Sequence, residues 1–81
     1  MDREDIIELI RNAVAEKFGE NRIKKIDAFG PYEGEDLNVE VFVEGINRKD
    51  KEVIEVASKI QDKLWELGLD VPFGISSAEP S

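Results

Sequence analysis

Apolar residues fall at Ile6, Ile7, Ile10, Val14 and Phe18, with Ala13 filling in. Steps of three and four put them on one side of a helix. The predicted helix covers residues 3–18. Asp2 stands at its N-cap position, Glu4 and Asp5 lie in its first turn, where negative charge meets the positive end of the dipole, and Gly19 closes it. Then the period changes. Residues 23–29, IKKIDAF, set Ile26 and Ala28 on one face and Lys25, Asp27 and Phe29 on the other. The next strand, 37–44, alternates more cleanly: Val39, Val41 and Val43 point one way, and Asn38, Glu40, Phe42 and Glu44 the other. Between these strands GPYEGED reads as a turn, punctuated by glycine and proline. A second helical stripe follows at Val53, Ala57, Ile60, Leu64 and Leu67, predicting a helix over 48–67 with Asn47 as its cap. Gly68 and Leu69 have the form of a Schellman stop, with Leu69 folding back toward Leu64. The last strand is expected over 70–76, where Val71, Phe73 and Ile75 alternate, and Pro72 assigns it to a sheet edge. Residues 77–81, SAEPS, read as a polar tail.

The order is α-β-β-α-β. The first two strands make an antiparallel hairpin. The second helix carries the chain back to the hairpin-tip end, so the third strand runs parallel to the second. A right-handed crossover sets both helices on one face of a three-stranded mixed sheet, with the valine-rich strand at its centre. The expected fold is a single α+β domain over residues 1–81, resembling a ferredoxin-like sandwich that lacks its first strand.

Composition narrows the chemistry. The chain has no cysteine and no histidine, which removes thiolate metal sites, disulfides and the Ser/His/Asp and Cys/His catalytic arrangements. A net charge of −8 argues against a nucleic-acid partner. No apolar run approaches the roughly 20 residues that cross a membrane, and no signal-peptide pattern opens the chain. A cytoplasmic protein with no membrane partner is expected. Charged residues make up 37% of the chain, a balance compatible with the ion-paired surface of a thermophile.

Laid on this topology, charge segregates. Asp2, Glu4, Asp5, Glu33, Glu35, Asp36, Glu66 and Asp70 gather at the hairpin-tip end, and Arg22, Lys24, Lys25, Arg48, Lys49 and Lys51 at the other. Glu33, Glu35 and Asp36 on one turn, with Asp70 reaching across from the third strand, are candidate ligands for Ca²⁺ or Mg²⁺, which take carboxylate oxygens. EF-hand spacing is absent, and acids in a turn are commonly just solvated. The turn offers neither the pocket nor the raised pKa that a catalytic carboxylate pair needs. There is no GxGxxG or P-loop. Trp65 lies off the main stripe of its helix, as expected of a residue packed at the helix edge. Phe29 and Phe42 point to the sheet face that carries no helix, where outward aromatics mark an interface.

IKKIDAFGPYEGEDLNVEVFVEG, EVIEVASKIQDKL and FGISSAEP together resemble the cytoplasmic C-terminal domain of cation diffusion facilitator transporters: helix, hairpin with a glycine-containing turn, V-x-V-x-V strand, helix, and a last strand ending near E-P. The likeness spans nearly the whole chain. That family's metal-binding histidines have no counterpart, and Ser76 and Ser77 lie near where one would fall. The resemblance implies dimerisation and acid-based cation sensing rather than zinc binding. A second resemblance, AFG followed by DLN, is to minimal nucleotidyltransferases. There Pro31 replaces the motif serine, Asn38 replaces the second aspartate and the third acid's place falls near Pro72, implying a catalytically inactive relative.

The reading that joins these observations is a small, acidic, non-enzymatic interaction or regulatory module. It self-associates through its open sheet face as a homodimer, or binds another protein there, with weak divalent-cation binding at the hairpin. The alternatives are a degenerate nucleotidyltransferase-like domain and a structural domain with no ligand.

Overall fold

The computed structural model describes residues 2–78. Its elements are α1 (Arg3–Phe18), β1 (Ile23–Phe29), β2 (Asn38–Val43), α2 (Lys51–Glu66) and β3 (Phe73–Ser77), with a 3-10 turn at Glu20–Arg22. The sheet order is β1-β2-β3, β1 antiparallel and β3 parallel to β2. This is the expected α+β architecture with the expected central strand. No helix of the described residues is long and apolar enough to cross a membrane.

One face of the sheet is covered. Val39, Val41 and Val43 are buried under Ile6, Ile10, Val14 and Phe18 of α1 and Val53, Ile60 and Leu64 of α2. Leu37, Val71 and Ile75 complete this cluster. Each fully buried side chain of this size contributes about 1.5–3 kcal/mol. The neighbouring residues of β2, Asn38, Glu40 and Phe42, are half-buried on the opposite face. Of the second helical stripe, Leu67 is the exception. It is the C-cap residue, and 49% of it is exposed, because the chain has already left the helix and turned.

Helix ends follow local chemistry. Gly19 closes α1, its N–H donating to the Ala15 carbonyl (2.8 Å). Asp2 holds the N-cap position of α1 in extended backbone, but its side chain makes no cap hydrogen bond. The stop of α2 is a Schellman motif: Leu69 N–H donates to Leu64 O and Gly68 N–H to Trp65 O, both at 2.9 Å. Gly68 takes φ +76°, a conformation an L side chain adopts only under strain.

Several boundaries differ from expectation: β2 is one residue shorter at each end (Asn38–Val43, not 37–44), and α2 ends at Glu66 rather than 67. α2 begins at Lys51, not 48, and its N-cap is Asp50, not Asn47. The side chain of Asn47 accepts the Lys49 N–H (2.9 Å) and its carbonyl accepts the Asp50 N–H (2.8 Å), so Asn47 builds a turn ahead of the helix instead of starting it. The Asp50 carboxylate closes that turn by accepting the Asn47 N–H (3.1 Å). β3 runs Phe73–Ser77, later than 70–76. Pro72 has no N–H to give and offers only its carbonyl, which accepts from Val39 (3.1 Å), so the ladder starts after it. Ser77 is thus in the strand and not in the tail; residues 79–81, including the Glu79–Pro80 pair of the transporter-like ending, lie outside the described residues.

Adjacent residues of α2 test this division. Leu64 is fully buried, whereas 61% of Trp65 is exposed, so Trp65 packs less than its place at the helix edge led us to expect. Leu64→Ala should lower unfolding stability by about 2–5 kcal/mol in urea denaturation. Trp65→Ala, although the larger deletion, should stay within about 0.5 kcal/mol of wild type. A larger loss for Trp65 would misplace the helix rotation.

Candidate functional site

The acidic hairpin is organised by one carboxylate. Glu35 turns back into its own loop and accepts the N–H of Tyr32, the N–H of Glu33 (3.1 Å to each oxygen) and the side-chain amide of Asn38 (3.2 Å). These donors, led by the Tyr32 and Glu33 amides, favour the ionised form and hold the Glu35 carboxyl below its ordinary 4.5. Asp36 and Asp70 do come together across the gap between the hairpin and β3, through backbone. Asp36 N–H donates to Asp70 O (2.8 Å), and Asp70 N–H donates to the Asp36 carboxylate (2.7 Å). Glu33 stays exposed at the tip.

The expected Ca²⁺ or Mg²⁺ ligands Glu33, Glu35, Asp36 and Asp70 therefore do not converge. Among the described residues no group of three or more acids is close enough to share a metal ion. Two of these carboxylates instead satisfy N–H groups of the loop that a cation could not satisfy. The local sequence carries a weak signal for this: an acid two and three residues after amides in a glycine-containing turn is placed to accept from them.

The basic end is likewise partly consumed. Arg22 donates to the carbonyls of Glu44 (3.0 Å) and Gly45 (3.2 Å), Lys24 pairs with Glu44 (3.2 Å) and Lys25 with Asp27 (3.6 Å). Arg48, Lys49 and Lys51 are exposed and outside every ion pair among the described residues.

The open sheet face is the remaining candidate. Register fixes its layout: Lys25 opposes Phe42, Asp27 opposes Glu40, and Phe29 opposes Asn38. A bulge between Ile23 and Lys25 resets the strand, and Lys25 Nζ sits 5.9 Å from the centre of the Phe42 ring. Phe29 and Phe42 both face outward as expected, but they do not adjoin. Phe29 lies four residue steps along β1 from Lys25, the partner of Phe42, about 13 Å along the strand. Phe29, 44% exposed, pairs instead with Tyr32 of the hairpin loop (ring centroids 6.2 Å). Between the two aromatics lie the Asp27 and Glu40 carboxylates, a like-charged pair directly opposite each other. Glu40 also takes the Ser76 hydroxyl (3.0 Å) and lies over Gly74, where a Cβ would come within 2.6 Å of its carboxylate. The face therefore runs from Phe42 under a lysine, through an acidic centre, to a Phe29–Tyr32 pair.

On the other side of the molecule a groove of about 630 Å³ separates α1 from α2, floored by Leu9, Ala13, Val56 and Ile60. Its rim carries lysines and no acid cluster.

The Glu35 clamp has a pH signature. Its folded pKa is depressed, so its contribution is present above the unfolded value and is lost as pH falls through the lower folded one. The amide shifts of Tyr32 and Glu33 should titrate together in that acid range, and Glu35→Gln should flatten both curves while the β2 amides stay in place. Titrating shifts that survive Glu35→Gln would assign the loop order to another acid.

Comparison of the chain with family models, with curated proteins and with solved structures finds no match, so the likenesses to the transporter domain and the nucleotidyltransferases rest on sequence alone.

Proposed function

We propose that the protein is a non-enzymatic interaction module whose binding surface is the open face of its sheet. The observation that carries this is the face itself, which no described helix covers. Phe42, Asp27, Glu40 and Phe29 stand in register on a rigid sheet whose reverse side is fully packed. Aromatic side chains supply contact area at small entropic cost, and rigid elements hold them in place.

The charge pattern bears on the partner. Face-to-face association of two copies about a two-fold axis at the centre would bring the Asp27–Glu40 pair against itself, which like-charge repulsion disfavours. A partner strand or loop with lysine or arginine between apolar residues meets the acids with its cations and the two ends of the face with its apolar groups. This makes a second protein a better occupant of the face than a second copy. The Glu35-clamped loop has a supporting role in this reading: it sets Tyr32 beside Phe29 at one end of the surface.

A hexapeptide of alternating phenylalanine and lysine is a direct probe. In an amide NMR titration, shifts should saturate and concentrate on Lys25, Asp27, Phe29, Glu40, Phe42 and Ser76. Phe42→Ser should weaken the interaction several-fold, and a lysine–serine peptide should bind more weakly still. Shifts that spread over the acids of α1 and α2 in proportion to charge would show ordinary ion attraction and dismiss the face as a site.

A further inference from the structure

The outer edge of β3 is a different surface with a different reading. Val39 N–H donates to Pro72 O, and Ala78 N–H to Val43 O. Since backbone groups alternate sides along a strand, Pro72, Gly74, Ser76 and Ala78 turn theirs toward β2, and Phe73 and Ile75 turn theirs outward. Among the described residues no other strand lies there, because β3 is at the end of the sheet. Edges of this kind are ordinarily protected by charge, proline or a bulge. This one is not. Residues 73–78, FGISSA, carry no charge in a chain that is 37% charged, and Pro72 precedes the strand.

The surroundings of the edge are self-complementary. The Gln61 side chain reaches the Val71 carbonyl (3.4 Å), so this side of α2 overlooks the start of β3. Ile54 and Trp65 fall on the same side at helical spacing, and they are 57% and 61% exposed. They lie about 16 Å apart, close to the length of β3. Charge is ordered the same way. Glu66 and Asp70 stand where β3 begins, and Arg48, Lys49 and Lys51 stand at the end where it finishes. None of these is in an ion pair among the described residues.

We propose that β3 pairs antiparallel with β3 of a second copy, joining two three-stranded sheets into one of six strands. A two-fold axis through the strand edge satisfies the outward groups of Phe73 and Ile75 on both copies. It sets Glu66 and Asp70 of each beside Arg48, Lys49 and Lys51 of the other, and Ile54 of each toward Trp65 of the other. Two chains of net charge −8 can meet here because the strand is uncharged and the poles oppose. The open faces of the two copies are left uncovered and become continuous.

Sedimentation equilibrium of the full chain over a concentration series tests this. Wild type should form a reversible dimer that weakens with salt; a monomer up to millimolar protein overturns the proposal. Lys51→Glu should weaken dimerisation on the order of tenfold, and Lys51→Glu combined with Glu66→Lys should restore it. Both reversals suit the helix dipole, so circular dichroism should be unchanged. A backbone N-methyl group at Ile75, introduced by chemical synthesis, removes one outward donor without touching the side chain or the β2 ladder, and should give a monomer. A dimer that survives N-methylation, or a double reversal that fails to rescue, contradicts the arrangement. Phe42→Asp should leave the dimer intact, and its loss in that variant would move self-association to the open face.

Discussion

Val39, Val41 and Val43 stand two residues apart on β2 and are almost wholly buried beneath both helices. A strand has two sides, so the residues between them must face away, and among the described residues no second layer covers that side. The remainder of the structure follows from that constraint. The helices must both lie where the valines are. β1 and β3 must flank β2 in registers that add Ile26, Ala28 and Ile75 to the covered side. Whatever occupies the other side is free to be chosen for something besides folding.

What occupies it is ordered. The acids at the hairpin tip hold the loop together by accepting its N–H groups, and thereby fix Tyr32 next to Phe29. Arg22 does the equivalent at the far end, tying the turn after β2 to the end of the 3-10 turn through two carbonyls. Between these fastened ends the open face presents two separate aromatic positions with carboxylates between them. Glu66 and Asp70 at one end, and Arg48, Lys49 and Lys51 at the other, all outside the ion pairs among the described residues, lie off that face and beside the uncharged edge of β3. The molecule thus separates a flat face suited to a partner of opposite charge from an edge suited to its own copy.

Much of this was legible in the chain. α1 and β1 have the bounds that Asp2, Gly19 and the change of period predict, and the alternation of β2 names the buried side residue by residue. The second helix starts late because the Asn47 side chain found a backbone partner two residues ahead, a competition between turn and cap that composition alone does not decide. The separation of Phe29 from Phe42 was hidden for a different reason. Both point outward, but their spacing depends on the strand register, which sets Phe29 opposite Asn38 and Phe42 opposite Lys25, and that register leaves no mark on the hydrophobic pattern. The use of the Glu35 and Asp36 carboxylates was equally hidden. Beyond the weak cue of its place two and three residues after the loop amides, an acid that binds backbone amides has the same sequence as one that awaits a cation, and the loop conformation tells them apart.

Amide hydrogen exchange at two protein concentrations examines the central claim most directly, that one side of β2 is sealed while the edge of β3 stands open for a second copy. The amides of β2 should be the slowest at both concentrations. Those of Phe73 and Ile75 should exchange rapidly in dilute protein and become protected when the concentration is raised. Equal rates for Phe73 and Ile75 at both concentrations, or β2 amides that exchange as fast as those of the hairpin loop, would contradict the account.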